Sequence, residues 1–315
     1  MIEVLNMNNL EFPGFAEKLA SHFVVHTAPN CEIPLASGKI RALVPGKLPV
    51  DKALLDRLTA LEIISLLSVG YDRVDVAAAA ARGIRVTNTP DVLSDDVADL
   101  AIAMLIMVSR RLRQADRLVR AGGWRVQDPV FGTAATGKRL GILGLGRIGR
   151  AIAQRAVSMG IEIAYTNRNK TDVPYRFVPD LITLARESDI LIVAAAAGLE
   201  TYHLVNRQVI EALGPDGILI NVARGNMVDE DAMTDALRTG QLGGAGLDVF
   251  EHEPYVHEAL LKLENVVLTP HIGSATVETR TEMGDLVIAN LTAYFEGRPL
   301  VSEVPESRAF CEARQ

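Results

Sequence analysis

The stretch that most constrains the fold of this chain runs from Leu140 to Arg150 and reads LGILGLGRIGR. A short apolar run, typical of a strand, leads into three glycines spaced as G-x-G-x-x-G: Gly144, Gly146 and Gly149. A helical pattern of apolar residues follows. In such a turn the first glycine permits a tight bend, the second lets backbone approach a pyrophosphate, and the third lets helix and strand pack closely. The helix N-terminus adds N–H groups suited to phosphates, so the stretch predicts a dinucleotide-binding turn.

Apolar runs at strand length recur through the second half of the chain. Six strands are predicted there, near Leu140–Leu143, Ile161–Tyr165, Ile190–Ala194, Ile218–Val222, Gly246–Val249 and Val266–Leu268. Helical patterns separate most of them. Six strands with a glycine turn after the first indicate a doubly wound α/β Rossmann domain.

The first 90 residues also alternate strand and helix patterns but contain no phosphate-binding glycine turn. Strands are predicted near Ile2–Leu5, Phe23–Val25, Ile40–Val44, Ile63–Leu67 and Ile84–Val86, and helices near Phe15–Ala20, Lys52–Leu58 and Val74–Ala81. This alternation predicts a second parallel sheet, in a smaller, flavodoxin-like α/β domain with a different role.

Two long helical patterns connect the halves of the chain. One runs from about Asp95 to Arg120, with Ser94 as a candidate N-cap, and the other from Thr276 to Glu296. We therefore expect a discontinuous substrate-binding domain of residues 1–97 and 287–315 around a dinucleotide-binding domain of residues 98–286. The active site is expected in the cleft between them.

Composition narrows the classes of partner. The net charge of −7 argues against nucleic acid or an anionic membrane as the main partner, and no apolar run approaches the length of a membrane span. Cys31 and Cys311 lie far apart without metal-ligand spacing, and the first residues do not resemble a signal peptide. A cytoplasmic protein without a metal is the expectation.

The residues after the second Rossmann strand predict the cofactor. An NAD-binding domain usually carries a carboxylate there for the ribose 2′-hydroxyl, but this segment reads Asn167-Arg168-Asn169-Lys170. A carboxylate would repel a 2′-phosphate, whereas a guanidinium can hold one through two N–H donors. NADP(H) is therefore expected in preference to NAD(H), unless Arg168 and Lys170 are only loop charges.

Three polar residues follow predicted strands at the edge where active sites of such sheets lie. Arg224 can bind a carboxylate, His271 is a proton donor near neutral pH, and Glu253 can orient the imidazole and favour its charged form. Spacing alone does not show that the three converge. Nearby, His252 to His257 superficially resembles a zinc-binding H-E-x-x-H motif, but its histidines are five apart and Pro254 opposes a continuous helix.

Over nearly its whole length the chain resembles the D-isomer-specific 2-hydroxyacid dehydrogenases. The motifs that carry the resemblance occur in the order of that family: Ser68–Asp75, Asn88–Pro90, Asp99–Ala101, Gly141–Gly149, Asn221–Gly225, Gly246–Pro254 and Thr269–Gly273. Within the family the chain is most similar to the NADPH-dependent glyoxylate/hydroxypyruvate reductases and their hydroxyphenylpyruvate-reducing relatives.

The resemblance implies a role for each matching residue. Arg224, Glu253 and His271 would be catalytic, and the backbone N–H groups of Val69 and Gly70, together with Arg224 and His271, would bind substrate. The implied cofactor-binding set is Gly144, Leu145, Gly146, Arg147, Ile148, Asn167, Arg168, Asn169, Lys170, Val222, Ala223, Asp248 and Gly273. Ala194–Ala197 departs from a Leu-Pro-rich turn common in the family, which puts the adenine-side contacts in doubt.

The implied reaction is reduction of a small 2-oxo acid such as glyoxylate or hydroxypyruvate to the 2-hydroxy acid. The resemblance also implies a homodimer, with the loop of Trp124 near the partner's site; packing within its own loop is the alternative for Trp124. Three other functions stay open: reduction of larger acids such as hydroxyphenylpyruvate, NAD-dependent oxidation, and NAD(P)H sensing without turnover in the manner of a corepressor.

Overall fold

A computed structural model describes residues 1–8, 14–28, 37–46 and 48–312. The chain forms two compact units. The first comprises Met1–Leu93 and Ser274–Gln315, and the second comprises Ser94–Gly273. Cys31 lies outside the described residues.

Up to residue 93 the first unit alternates strands and helices, as predicted. Its elements are β1 (Glu3–Asn6), α1 (Phe15–His22), β2 (Val24–Thr27), β3 (Ile40–Val44), α2 (Lys52–Arg57), β4 (Ile63–Ser65), α3 (Val76–Ala81) and β5 (Arg85–Thr87). The strands form a parallel sheet in the order β2-β1-β3-β4-β5. Asp51 and Asp75 begin α2 and α3 by accepting a backbone N–H from the first turn of each helix.

The second unit contains a larger parallel sheet. Its elements are α4 (Ser94–Ser109), α5 (Leu112–Arg120), β6 (Arg139–Leu143), α6 (Arg147–Ser158), β7 (Glu162–Thr166), β8 (Arg176–Phe177), α7 (Leu181–Arg186), β9 (Ile190–Val193), α8 (Arg207–Leu213), β10 (Ile218–Asn221), α9 (Glu230–Thr239), β11 (Gly244–Leu247), α10 (Glu258–Lys262) and β12 (Val266–Leu268). Seven strands lie in the order β12-β11-β10-β9-β6-β7-β8, which confirms the Rossmann fold. The sequence predicted six strands; β8 has two residues and no apolar run to indicate it.

The predicted continuous helix from Asp95 to Arg120 is wrong, because α4 ends at Ser109 and α5 begins at Leu112. Arg111 between them has a left-handed φ of 52°. The carbonyl of Ser109 accepts the backbone N–H of Thr133 at 2.7 Å. A distant loop thus bonds to a carbonyl that a continuous helix would use for its own backbone hydrogen bond. Apolar periodicity cannot reveal such a long-range contact. Ser94, expected as the N-cap, is the first helical residue.

The last two helices, α11 (Val277–Phe295) and α12 (Pro305–Glu312), belong to the first unit. Thr276 begins α11 by accepting the N–H of Thr279 at 3.2 Å. The boundaries expected at 97/98 and 286/287 fall inside α4 and α11, whereas the units divide at 93/94 and 273/274. A helix that packs as one body keeps its residues in one unit, so the division lies near helix ends.

The strands at the centre of the larger sheet are mostly apolar and buried, as expected where helices cover both faces of a parallel sheet. Ile190–Val193 of β9 is the clearest example, with every side chain buried. Full burial of one such side chain contributes about 1.5–3 kcal/mol. Within the described part of the chain, no helix is long and apolar enough to cross a membrane.

Candidate active site

The carboxyl ends of six neighbouring strands in the larger sheet are in register. Thr166, Leu143, Val193, Asn221, Leu247 and Leu268 are successive Cα partners from β7 across to β12. The residues that follow these positions therefore leave the sheet along one edge, which we call the carboxyl edge. Ligands of doubly wound proteins bind at this edge.

The three glycines of the turn after β6 differ in their surroundings. Gly144 has a φ of 96°, and a Cβ there would lie 2.4 Å from the Cα of Ala195. A Cβ on Gly149 would lie 2.1 Å from the carbonyl oxygen of Gly144, so only glycine lets α6 pack this closely on the turn. A Cβ on Gly146 would meet no atom within 4 Å, which leaves open space beside the turn.

The start of α6 offers donors for an anion. Among the described residues, no acceptor takes the backbone N–H groups of Gly146 and Ile148, while the N–H of Arg150 is the first to bond back, to Gly146 at 2.9 Å. Unsatisfied N–H groups and the helix dipole at this end attract phosphate oxygens. Open space and free donors at the same turn fit the pyrophosphate of a dinucleotide.

Asn167 holds the turn from the neighbouring strand. Its Oδ1 accepts the backbone N–H of Leu145 at 2.7 Å. Arg168, Asn169 and Lys170 then leave β7 as exposed side chains. Within the described ranges, neither Arg168 nor Lys170 forms an ion pair with a carboxylate, so their charges remain available to an anion.

His271 and Glu253 are in direct contact, although they are 18 residues apart in the chain. The Nδ1 atom of His271 lies 2.9 Å and 3.0 Å from the two carboxylate oxygens of Glu253. The side chain of Glu253 is 17% exposed and that of His271 is 43% exposed, so the carboxylate is shielded while the imidazole reaches solvent. A carboxylate on Nδ1 fixes the ring orientation and keeps a proton on Nδ1, which leaves Nε2 as the nitrogen able to gain or lose one.

Asp248 anchors the loop that carries His271. Its carboxylate, 2% exposed, accepts the backbone N–H groups of Ile272 and Gly273 at 2.8 Å each. It also accepts the hydroxyl of Thr269 at 2.5 Å. The backbone N–H of Gly273 is thereby used within the protein, and the contacts expected of Asp248 and Gly273 with the cofactor stay predictions.

Arg224 leaves the sheet after β10, the strand next to β11. Asn221 shapes this bend, because its side chain accepts the N–H of Ala223 at 3.0 Å and donates to the carbonyl of Arg224 at 2.9 Å. A Cβ on Gly225 would lie 1.9 Å from the carbonyl carbon of Phe250. Only glycine therefore lets the segment after Arg224 lie directly against the segment that leads to Glu253.

In the first unit, Val69 and Gly70 lie in a loop after β4 and are partly exposed. Asn88 donates from Nδ2 to the carbonyl of Val69 at 2.8 Å, and the hydroxyl of Ser68 donates to the carbonyl of Gly70 at 2.7 Å. Both carbonyls are thus satisfied, whereas the N–H groups of Val69 and Gly70 meet no acceptor among the described residues. Two successive N–H groups without an acceptor are available to hydrogen-bond an anion.

In the segment from His252 to His257, which resembles a zinc-binding motif, the second histidine makes other contacts. His257 accepts the N–H of Ala259 through Nδ1 and faces Asp231 at 3.6 Å. Across the described ranges, no three His, Cys, Asp or Glu side chains are grouped to hold a metal ion. Sequence reasoning did not find the close approach of Gly225 to Phe250. Many glycines follow strands, so the sequence alone does not distinguish one that packs against distant backbone.

Comparisons with known proteins identify the family. Residues 102–273 match the family described as "D-isomer specific 2-hydroxyacid dehydrogenase, NAD binding domain". The hydroxyphenylpyruvate reductase of Plectranthus scutellarioides is 51% identical over 274 residues, which covers 86% of this chain and 88% of that protein. A glyoxylate/hydroxypyruvate reductase A of Arabidopsis thaliana is 49% identical, over 88% of this chain and 90% of that one.

Solved structures give the same result. The NADPH-dependent glyoxylate/hydroxypyruvate reductase of Sinorhizobium meliloti, in complex with NADP and malonate, superposes with a TM-score of 0.92 at 40% identity. The match covers 97% of both chains. A glyoxylate reductase from Paecilomyes thermophila has a TM-score of 0.87 at 32% identity, over 96% of this chain and 98% of that one.

Proposed function

The chain belongs to the D-isomer specific 2-hydroxyacid dehydrogenase family and is an oxidoreductase, and from this premise we propose that it reduces small 2-oxo acids with NADPH. The proposed reactions convert glyoxylate to glycolate and hydroxypyruvate to D-glycerate. One observation carries the proposal: the His271–Glu253 pair lies on the same sheet edge as a glycine turn with free phosphate-binding donors.

His271 is the proposed acid. Its imidazole, protonated on both nitrogens, donates the Nε2 proton to the substrate oxygen as negative charge develops there. Glu253 keeps the ring oriented through Nδ1 and stabilises its positive charge, since the two carboxylate oxygens lie 2.9–3.0 Å away. Proton transfer by a positioned acid contributes about 10²–10⁴-fold to a rate.

Arg224 is the proposed substrate anchor. Its Nη1 already donates to the carbonyl of Ala223 at 2.8 Å, which fixes the guanidinium plane beside the bend after β10. The planar group binds a carboxylate and stabilises charge on the adjacent carbonyl oxygen. The free N–H groups of Val69 and Gly70 are the further proposed donors to the substrate carboxylate.

When bound, NADPH supplies the hydride that reduces the carbonyl carbon. The glycine turn with Leu145, Arg147 and Ile148 would hold the pyrophosphate, and Val222, Ala223, Asp248 and Gly273 would border the nicotinamide. Arg168 and Lys170, with Asn167 and Asn169, would take the 2′-phosphate. Their exposed positive charges, and the absence of a carboxylate in this segment, support NADPH over NADH. The NADP-bound relative from Sinorhizobium meliloti is consistent with this preference.

We extend the proposal to a homodimer. Large apolar side chains are exposed in the loop after α5, including Trp124 at 67%, Val126 at 89% and Phe131 at 88%. Apolar surface of this kind normally marks an interaction site, and a second copy of the chain is the expected partner. Light scattering on the purified protein tests this, with the monomer mass of 34.0 kDa as the result that would contradict it.

The proposed function is tested by initial rates with NADPH and NADH in parallel, on glyoxylate, hydroxypyruvate and hydroxyphenylpyruvate. We expect rapid NADPH oxidation with the two small acids and slower oxidation of NADH. The similarity to a hydroxyphenylpyruvate reductase supports a second candidate, reduction of the aromatic acid by the same residues. A preference for that acid would replace the substrate but keep the mechanism. Tight NADPH binding without turnover of any acid would instead indicate a sensor.

A further inference from the structure

Three loops of the carboxyl edge meet at a group of polar side chains that the proposed reaction does not use. We call Tyr202, His203, Glu230 and Glu251 the Glu251 cluster. Tyr202 and His203 follow β9, Glu230 begins α9 after the β10 loop, and Glu251 follows β11. All four belong to the second unit.

Glu251 is the centre of the cluster. Its Oε1 accepts the hydroxyl of Tyr202 at 3.1 Å and lies 2.9 Å from the Nε2 atom of His203. The rings of Tyr202 and His203 stack with centroids 4.0 Å apart and an interplanar angle of 13°. The hydrogen bond to Glu251 raises the pKa of Tyr202, because the phenol is held as donor to the carboxylate. With its side chain 14% exposed, Glu251 needs these donors.

Backbone bonds tie the cluster to all three loops. The N–H of Glu251 donates to Oε2 of buried Glu230 at 3.0 Å, and the N–H of His203 donates to the carbonyl of Asn226 at 2.8 Å. His203 adopts a left-handed φ of 48°. A non-glycine residue in this region is strained, so the surrounding contacts must hold it there.

The cluster adjoins the proposed machinery in two of its three loops, those after β10 and β11. Asn226 is two residues after Arg224, and Gly225 between them lies against the backbone of Phe250 and Glu251. Glu251 is two residues before Glu253, and Oε1 of Glu253 accepts the N–H of Phe250 at 3.3 Å. Movement of Glu251 therefore displaces the backbone that carries Glu253 and the surface on which the Arg224 bend rests.

We infer that His203 and Glu251 form a positioning pair that sets the relative placement of Arg224 and Glu253. The inference rests on the proposed function and deepens it. Neither residue is assigned contact with substrate or cofactor, so the pair acts through Arg224 and Glu253. The charged and titratable groups around Glu251 are His203 and Tyr202 on one side, Glu230 on α9, and Asp229 near the Tyr202 hydroxyl. Of these, His203 alone can bring a positive charge to the carboxylate.

The test uses His203→Gln, Glu251→Gln and the double variant, assayed with NADPH and glyoxylate across pH. Each single change lowers kcat about tenfold, because small displacements of catalytic groups have large effects. The kcat of the double variant lies no more than about twofold below that of either single variant, because the two residues act as one pair. The pH profile of kcat/KM differs from that of wild type, because Glu253, which contacts the proposed acid His271, is displaced. The dissociation constant for NADPH stays within about twofold of wild type.

A matched control comes from the first unit. His26 and Glu3 form an equally close pair, with Nε2 3.0 Å from Oε2, on neighbouring strands of the smaller sheet. His26→Gln removes the same kind of interaction there and leaves kcat and the pH profile of the wild type. Tyr202→Phe provides a milder variant, because it deletes one hydrogen bond to Glu251 from an exposed ring and lowers kcat by about twofold to threefold.

The outcomes separate this inference from the proposed function. Wild-type kcat and an unmoved pH profile in all the cluster variants overturn the inference alone. A fall in kcat that matches the loss of folded protein, with the profile unmoved, also overturns it, because the pair is then merely structural. If the glutamine variants do not fold, a Tyr202→Phe profile identical to wild type overturns it. No turnover by wild type overturns the proposed function and this inference together.

Discussion

The backbone N–H of His271 donates to the carbonyl oxygen of Asp248 at 2.8 Å, and the carboxylate of Asp248 binds the N–H groups of the next two residues. His271 has a left-handed φ of 57° within this loop. The strand end at β11 thus fixes the conformation in which the imidazole reaches Glu253. The placement of the proposed acid depends on a neighbour that need not take part in its chemistry.

We predict that Asp248→Asn weakens both the fold and the activity. The amide keeps one acceptor oxygen and would turn its NH₂ toward a backbone donor such as that of Gly273. A buried unsatisfied donor costs about 1–3 kcal/mol in the free energy of unfolding, and the shifted His271 loop lowers kcat about tenfold. Denaturant unfolding and steady-state rates measure the two effects. Asp180→Asn is the control, because a single oxygen of Asp180 takes both bonds from Thr183.

Gly225→Ala tests the contact between the loops after β10 and β11. Its Cβ would lie 1.9 Å from the carbonyl carbon of Phe250, so one backbone segment must move. We expect about 1–3 kcal/mol of destabilisation and a raised KM for glyoxylate, because the Arg224 bend is displaced. Gly38→Ala is the matched control, since a Cβ on Gly38 meets nothing within 4 Å. Equal stability of the two variants would show that the contact is unimportant.

Arg168→Ala tests the cofactor preference. Loss of one charge-assisted hydrogen bond, worth about 1.5–3 kcal/mol, raises the KM for NADPH about 10–100-fold. The KM for NADH changes little, because NADH has no 2′-phosphate. Lys262→Ala, an exposed cation on α10, is the control for a general loss of positive charge. Equal changes in KM for NADPH and NADH would show that Arg168 does not recognise the 2′-phosphate.

The ion pair of Arg139 and Asp189 predicts a pH-dependent contribution to stability. Arg139 donates to both oxygens of Asp189, at 2.8 Å from Nη2 and 3.2 Å from Nε, and these bonds lower the pKa of Asp189. A lowered folded-state pKa stabilises the protein above the unfolded value of about 3.9, and this stabilisation is lost as pH falls through the folded value.

The variant Asp189→Asn should therefore lower the free energy of unfolding at pH 7 by about 0.5–1 kcal/mol, a range reduced for the solvent exposure of Arg139. The difference from wild type should shrink below about pH 4. Denaturant titrations at pH 7 and pH 3 measure it, with exposed Asp216→Asn as the control. A difference independent of pH would assign the effect to something other than the charge of Asp189.

The sequence predicted the features that depend on local pattern. The strand Val266–Leu268 and the glycine turn agree with the structure, because apolar runs and a φ of 96° at Gly144 are properties of neighbouring residues. The predicted family and fold class are also confirmed. They could be predicted because their motifs are short and occur in a fixed order along the chain. The roles of the individual site residues stay predictions.

What the sequence could not predict depends on distant contacts. The break at Arg111 depends on Thr133 taking the Ser109 carbonyl, and the Glu251 cluster joins residues up to 49 positions apart. The contact of His271 with Glu253 was expected from the resemblance, yet its geometry follows from the register of β11 and β12. Only the folded chain places these groups together.

The most direct test of the central claim compares wild type with His271→Ala in a stopped-flow assay of NADPH oxidation by glyoxylate. The account predicts turnover by wild type and a kcat about 10²–10⁴-fold lower in the variant, with NADPH still bound. A variant that keeps the wild-type kcat would contradict the assignment of His271 as the acid.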